Sequence, residues 1–551
     1  MLEGCVPWPE EFKERYIRNG YWEQIPLGKA FDRLAEFFPD REALVFGDQR
    51  FTYYQLKNIS DRLAVKFLEI GLRPLDRIVV QLPNVPEFVF AYFALLKIGV
   101  IPVLCLTAHR FNEITYIAEK AQAKGYIISD YYRNFSYLEL AKEVRDTVSS
   151  IKYVFVVGEE SRGNILISDL IIADSKQSLI EQVLDKYSPD PFEVAVLLLS
   201  GGTTGLPKLI ARTHNDYLYT AKINALHAGL NKHSVYLAVA PLAHNMTLAC
   251  PGITGTFLHG GKVILTSSTD TATICALTEK EKITNLPLVP AMVISLLNYE
   301  MVNDFNLSSL VAIISGGSKL NPEVAKRVKP ELGCEIIQQF GMAEGMLAMT
   351  DIHDPEEMKY KTIGRPLSPA DEIKIVDDKG IEVPVGEIGE LWCRGPYTIR
   401  GYYQAPEHNA QAFSADGFYK TGDLVKLDPS CGGLSIQGRK KDLINRGGEK
   451  ISAEGLENLI LAHPKVHNAA VVAMPDPVLG EKVCAYIILY PKQVITLEEL
   501  NNFLLGKKIA KFKLPERLEI MDQFPLTNVG KISKKDLRFD IQKKLESVAK
   551  N

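Results

Sequence analysis

At 551 residues the chain is too long for one ordinary hydrophobic core, so two or more structural units are expected. A hydrophobic content of 46%, a charged content of 24% and a net charge of −4 describe a globular protein with no basic footprint for nucleic acid. The eight cysteines stand singly with no Cys-x-x-Cys pair, which argues against a zinc site or a disulfide framework and for reduced thiols in a cytoplasmic protein.

The acidic, proline-containing start of the chain does not read as a signal peptide. A strand over 77–82, a helix over 86–98 and a strand over 100–106 form a predicted β-α-β unit. Residues 88–108 are mostly apolar, but Lys97, Gly99 and Pro102 interrupt them, so no membrane span is expected. Strand-like runs over 125–128, 153–157, 194–199, 235–240, 262–265 and 312–315, with helical patterns between, argue for layered α/β structure and parallel sheets. From about 373 to 402, short β runs at 372–376 and 389–393 punctuated by Gly and Pro read as a small β-rich subdomain. The charge cluster Gly438-Arg439-Lys440-Lys441-Asp442, followed by Gly447-Gly448, marks the expected domain boundary. Beyond it, a helix over 453–462, strands over 466–472 and 482–489 and a helix over 496–505 form a compact α+β pattern. The expected organisation is an α/β N-terminal core over residues 1–438 and a C-terminal domain over 439–551.

The most informative stretch follows the buried run 194–199: Ser200-Gly201-Gly202-Thr203-Thr204-Gly205-Leu206-Pro207-Lys208. Its glycines let backbone N–H groups approach a polyphosphate, and Ser200, Thr203 and Thr204 can donate further hydrogen bonds. Lys208 adds a compact positive charge, but it follows Pro207, so this is not a Walker A loop.

Six further segments occur in order with this loop. They are Pro241-Leu242-Ala243-His244-Asn245, Ser315-Gly316-Gly317-Ser318, Phe340-Gly341-Met342-Ala343-Glu344, Tyr419-Lys420-Thr421-Gly422-Asp423, Gly438 to Asp442, and Asn528-Val529-Gly530-Lys531-Ile532. Together they resemble the adenylate-forming superfamily of acyl-CoA synthetases, firefly luciferase and peptide-synthetase adenylation domains. Ala343 departs from the Thr usual there, although Gly-Met-Ala-Glu is familiar in aryl-acid members.

The resemblance implies ATP and Mg2+. In such chemistry a carboxylate attacks the α-phosphate and pyrophosphate leaves. Two anions must meet, so preorganised positive charge and N–H donors carry most of the catalysis. ATP would be held by the loop from Ser200 to Gly205 with Lys208, by Gly316 and Gly317, and by Phe340 and Gly341. Glu344 resembles the magnesium ligand, and Asp423 the acid that accepts the ribose hydroxyls. Arg439 resembles the residue that binds ribose or phosphate from the hinge side. His244 would wall the acyl site, and Lys531 would reach the substrate carboxylate and the α-phosphate. The family also implies a second step. The C-terminal domain would rotate about Lys441, withdraw Lys531 and present the loop containing Gly447, Gly448 and Lys450 while a thiol attacks the adenylate.

His244-Asn245 bears on which acid is used. Amino-acid-activating members place Asp at the second position to pair with an ammonium, and Asn cannot form that ion pair. A neutral amide suits an ortho hydroxyl or amino group on an aromatic acid. This resembles the stand-alone aryl-acid ligases that activate 2,3-dihydroxybenzoate or salicylate for siderophores, as do Trp8-Pro9, Asn19 to Trp22 and Arg394 to Tyr403. The implied acid pocket comprises Asn245, Met246, Cys250, Ser318, Gln339, Ala343 and Leu347. Four of these depart from the usual pattern: Met246 replaces Tyr or Phe, Cys250 replaces Ser, and Gln339 and Leu347 both replace Val. Salicylate, anthranilate and 3-hydroxyanthranilate therefore stay open beside 2,3-dihydroxybenzoate. No carrier segment is seen after Lys531, so a separate carrier protein bearing phosphopantetheine is the expected acceptor. An aryl-CoA synthetase using free coenzyme A is the rival enzyme. A non-catalytic adenylate-binding or carrier-docking protein is the rival of another class, and Glu344, Asp423 and Lys531 together speak against it.

Overall fold

The computed structural model describes the chain except residues 173–176, 201–206, 448, 508, 528–531 and 550–551. Two large sheets dominate it. The first runs Leu209–Thr213, Val194–Leu199, Ile101–Leu104, Arg77–Gln81, Gly125–Ser129, Tyr153–Val157, Ile165–Leu166, parallel throughout except at the Leu209–Thr213 edge. The second has nine strands, with a parallel centre of Glu335–Met342, Ala312–Ser315, Asn285–Leu288, Val235–Ala238, Lys262–Leu265 and Glu42–Phe46. The central strands are apolar runs buried on both faces, as parallel strands covered by helices must be.

One core spans both sheets through the helices between them. Helix Pro86–Lys97 explains the apolar stretch: Pro86 opens it at the first turn, and nearly every residue is buried. Phe93 stacks on Phe31 at 4.2 Å between ring centres. The ammonium of Lys97 is buried but paired with Asp32 and Asp61, which offsets its lost hydration. No helix among the described residues is long and apolar enough to cross a membrane. The run expected as a strand over 235–240 leaves the ladder after Ala238. There the Asn84 amide takes over the carbonyls of Ala238, Ala240 and Thr266 at 3.0–3.1 Å.

The β-rich subdomain is larger than the 373–402 expected. Glu372–Val376, Ile388–Arg394, Tyr419–Leu427 and Leu434–Arg439 form one four-stranded antiparallel sheet, and helix Pro406–Ala412 separates its halves in sequence. The turn Lys440–Asp442 then leads to the small C-terminal domain. Hairpin Leu443–Arg446/Glu449–Ser452, strands Val466–Asp476 and Gly480–Leu489, and Arg517–Ile520 make its sheet. Helices Ala453–Leu461 and Leu497–Gly506, capped by Ser452 and Thr496, cover it. Ile444, Leu456, Val471, Val483 and Leu500 form a separate core there.

Candidate active site

Ser200 and Lys208 stand at the feet of the glycine-rich loop and close it. Ser200 N–H donates to the Lys208 carbonyl, and Lys208 N–H donates to Ser200 Oγ, both at 2.9 Å. Gly201, Gly202, Thr203, Thr204 and Gly205 lie outside the described residues. Lys208 Nζ sits 5.7 Å from the centre of the Tyr402 ring. The Tyr402 hydroxyl donates to Glu344 Oε1 at 2.7 Å and lies 2.9 Å from the Tyr419 hydroxyl. The foot of the loop, the Gly401–Tyr403 segment and Glu344 therefore converge.

Glu344 occupies the turn between Glu335–Met342 and Gly345–Met349. A Cβ on Gly345, at φ +138°, would lie 2.3 Å from Thr398 Cα, so only glycine lets the turn come this close. Ile399 N–H donates to the Glu344 carbonyl at 2.7 Å. Burial holds the Glu344 carboxyl above its ordinary range, and the Tyr402 hydrogen bond and Arg439 charge pull it back.

Sequence reasoning missed Arg212, the fully buried guanidinium that ties this turn to helix His214–His227. It donates to the carbonyls of Ala343 at 3.0 Å and Tyr397 at 3.1 Å, to Thr220 Oγ1 at 2.8 Å and to Asp216 Oδ1 at 2.7 Å. Asp216 also closes the capping box of helix His214–His227 with Thr213. The Thr-x-x-Asp capping signal beside Arg212 was legible in the sequence. Its distant carbonyl partners were not.

The same helix carries Tyr217, whose hydroxyl donates to Asn245 Oδ1 at 2.7 Å. Asn245 Nδ2 in turn donates to Cys250 Sγ at 3.3 Å. Burial pushes the Cys250 thiol up to about 12, so it stays protonated. His244 caps the short helix Asn245–Ala249, its Nδ1 accepting from Met246 N–H at 3.2 Å. Met246 is buried, and its sulfur would lie 3.1 Å from a Cβ on Gly316. Gly317 follows at φ +88°, and Ser318 is exposed. On the paired strands Gln339 faces Met349, Phe340 faces Ala348 and Gly341 faces Leu347. Leu347 Cδ2 would lie 2.3 Å from a Cβ on Gly341, so Leu347 fills the space that glycine leaves.

Asp423 and Arg439 come together on the last two strands of the four-stranded sheet. Thr421 Oγ1 accepts from Asp423 N–H at 3.0 Å and donates to the Leu391 carbonyl at 2.7 Å, which anchors the turn before the acid. The charges of Asp423 and Arg439 act on Glu344 in opposite directions. After Arg439, Lys440 Nζ binds Glu390 Oε2 at 3.0 Å on the large domain. Asp442 Oδ1 accepts from Arg538 of the C-terminal helix Lys534–Ala549 at 3.1 Å. Exposed Lys441 lies between these two anchors. Gly447 turns the following hairpin at φ +58°. Gly448, the Lys450 side chain and Lys531 lie outside the described residues.

Comparison with known proteins agrees in order and extent. Residues 31–403 match the AMP-binding enzyme family, and residues 455–531 match the AMP-binding enzyme C-terminal domain. The chain is 44% identical to a salicylyl-CoA synthase / salicylate adenylyltransferase of Streptomyces sp, covering 99% of both chains. It is also 44% identical to the 2,3-dihydroxybenzoate-AMP ligase of Bacillus subtilis (strain 168), again with 99% of both chains covered. Among solved structures, apo MbtA of Mycobacterium smegmatis is 39% identical with a TM-score of 0.75, covering 98% of this chain and 99% of that one. A family match across most of the chain, joined to the loop, the Glu344 turn and the Asp423–Arg439 pair, places this chain in the AMP-binding enzyme family.

Proposed function

We propose that this chain is an aryl-acid–AMP ligase. It activates an ortho-substituted aromatic acid with ATP, releases pyrophosphate, and transfers the aryl group to the phosphopantetheine thiol of a separate carrier protein in siderophore or nonribosomal peptide synthesis. The observation that carries the substrate class is Asn245. Its amide is held between the Tyr217 hydroxyl and Cys250 Sγ, with no carboxylate at that position to pair with an amino acid. The named activities of the relatives support the same class.

Each residue then has a task. The loop from Ser200 with Lys208 receives the phosphates, Asp423 the ribose hydroxyls, and Arg439 the ribose or a phosphate. His244 and Asn245 position the acid, and Lys531 neutralises charge between carboxylate and α-phosphate. Glu344 fits a magnesium ion shared with the nucleotide: it offers a hard carboxylate oxygen beside Tyr402, whose ring lies under Lys208. Among the described residues no cluster of three or more His, Cys, Asp or Glu would hold a metal alone. When bound, the ion would neutralise phosphate charge. The adenylation core would run over residues 1–438 and the mobile domain over 439–551, with Lys441 as the pivot between adenylation and thioester formation.

ATP–pyrophosphate exchange across aromatic, aliphatic and amino acids tests the reading. Exchange driven best by ortho-substituted aromatic acids supports it, and exchange driven best by an amino or aliphatic acid refutes it. The name of the Streptomyces relative includes coenzyme A, so free coenzyme A is the second acceptor to compare with a phosphopantetheinylated carrier.

A further inference from the structure

Gln339 is 6% exposed, and neither its Oε1 nor its Nε2 has a hydrogen-bond partner among the described residues. A primary amide in that state has lost its water and gained nothing in return, which protein interiors rarely accept. Its surroundings belong to the acid pocket. A Cβ on Gly316 would lie 3.4 Å from Gln339 Oε1 and 3.1 Å from Met246 Sδ. The amide oxygen, the bare Gly316 Cα and the side chain next to Asn245 therefore bound one small space. Met246 offers only a thioether there, and Leu347, across from Gly341 on the paired strand, offers only methyls. Ser315, just before Gly316, also buries its Oγ without a partner.

We propose that Gln339 is a specificity-determining residue for a second polar group on the aromatic ring, a hydroxyl beyond the ortho position served by Asn245. The substrate class is then a dihydroxy or amino-hydroxy aromatic acid rather than a singly ortho-substituted one. A ring hydroxyl can turn its proton to Oε1 or its lone pairs to Nε2, so it meets the amide in either orientation. An aromatic amine meets only Oε1, and a methyl group meets neither. Cys250, a protonated thiol already engaged by Asn245, is the weaker candidate for that contact.

The inference rests on the aryl-acid reading, and one experiment separates the two. The kcat/KM for pyrophosphate exchange is measured with salicylate, 3-methylsalicylate, 2,3-, 2,4- and 2,5-dihydroxybenzoate and 3-hydroxyanthranilate. At least one hydroxylated acid should exceed both salicylate and its methyl analogue by about tenfold or more, as expected when a buried polar group gains its partner. Gln339→Leu, and Gln339→Val as a second variant, should abolish that preference while leaving the KM for ATP unchanged. Salicylate matching every hydroxylated acid in the wild type, or a preference that survives in both folded variants, overturns the role of Gln339. Exchange with no aromatic acid at all overturns the aryl-acid reading beneath it.

Discussion

Arg439 stands across the antiparallel strand pair from Asp423 and donates its Nε–H to Asp423 Oδ1 at 2.8 Å. The Asp423 side chain is 7% exposed and that of Arg439 is 48% exposed. The fold therefore holds the carboxylate, and the guanidinium leans on it from the side of the domain junction. If Asp423 receives the ribose as proposed, the nucleotide would meet an acceptor that is already oriented.

Asp423→Ala should raise the KM for ATP at least about tenfold, since charge-assisted hydrogen bonds contribute about 1.5–3 kcal/mol each. Arg439→Ala should do less, because its side chain is half exposed and screened by solvent. Exchange kinetics at varied ATP measure both. An unchanged KM in a folded Asp423→Ala protein refutes the ribose assignment.

Lys441 lies between a turn anchored to the large domain through Lys440–Glu390 and one anchored to the C-terminal helix through Asp442–Arg538. A rotation of the small domain would concentrate in the backbone between these ties. Lys441→Pro fixes one angle there. Pyrophosphate exchange should stay near normal while loading of a carrier thiol falls about tenfold or more. Wild-type loading by this variant would remove Lys441 as the pivot.

Lys531→Ala should lower adenylation by about two to three orders of magnitude, as for loss of preorganised charge at a developing anion. Thioester formation from supplied aryl-adenylate should suffer far less. The two half-reactions can be timed separately, and equal losses would contradict the two-conformation scheme.

Glu344 gives a pH dependence of defined sign. Burial raises its pKa, and metal binding needs the ionised form, so activity at limiting magnesium should fall as pH drops through that raised value. The Tyr402 hydroxyl favours the carboxylate. Tyr402→Phe should therefore move the acid limb to higher pH, and Glu344→Gln should abolish the limb and lower activity by about a hundredfold. The stability linkage has the opposite sense. A raised folded pKa makes protonated Glu344 favour the fold, a contribution complete below its unfolded pKa and lost as pH rises through the folded one. Thermal unfolding of Glu344→Gln against wild type should show its gain at neutral pH and not in acid. An acid limb unmoved in Tyr402→Phe would detach that hydroxyl from the metal site.

The site was legible in sequence wherever its chemistry is local. Glycines and an acid in a turn announce themselves by their neighbours, and the order of segments gives them their expected roles, whereas the capping of helix Asn245–Ala249 by His244 was not foreseen. What stayed hidden is convergence across the fold. Tyr402 entered only as part of the Arg394–Tyr403 resemblance and Tyr217 not at all, yet their hydroxyls bond Glu344 and Asn245 from 58 and 28 residues away. Arg212 sits in an apolar strand, and its acceptors at Ala343 and Tyr397 lie 131 and 185 residues on. The strands bearing Asp423 and Arg439 escaped notice for different reasons: Lys420, Asp423 and Lys426 break up Tyr419–Leu427, whereas Leu434–Arg439 alternates cleanly but only over the four residues before Gly438.

The ortho position gives the last prediction. Tyr217 is fully buried and donates to Asn245 Oδ1, so one lone pair of the amide oxygen is taken and its N–H edge is turned toward Cys250. An ortho oxygen on the ring can then accept from Nδ2, and an acid lacking it leaves that donor poorly served. Benzoate should be about tenfold or more worse than salicylate in kcat/KM, and 3-hydroxybenzoate worse than 2,3-dihydroxybenzoate by a similar factor. Tyr217→Phe frees the amide to turn, so both ratios should shrink toward unity while the KM for ATP holds. That split separates a positioning role from general damage to the fold. Cys250→Ser replaces a weak partner by a stronger one and should tighten the hold on the amide, leaving the ortho preference intact or larger. If benzoate proved as good as salicylate in the wild type, or if Tyr217→Phe lost activity equally with every acid, Asn245 would not be reading the ortho group.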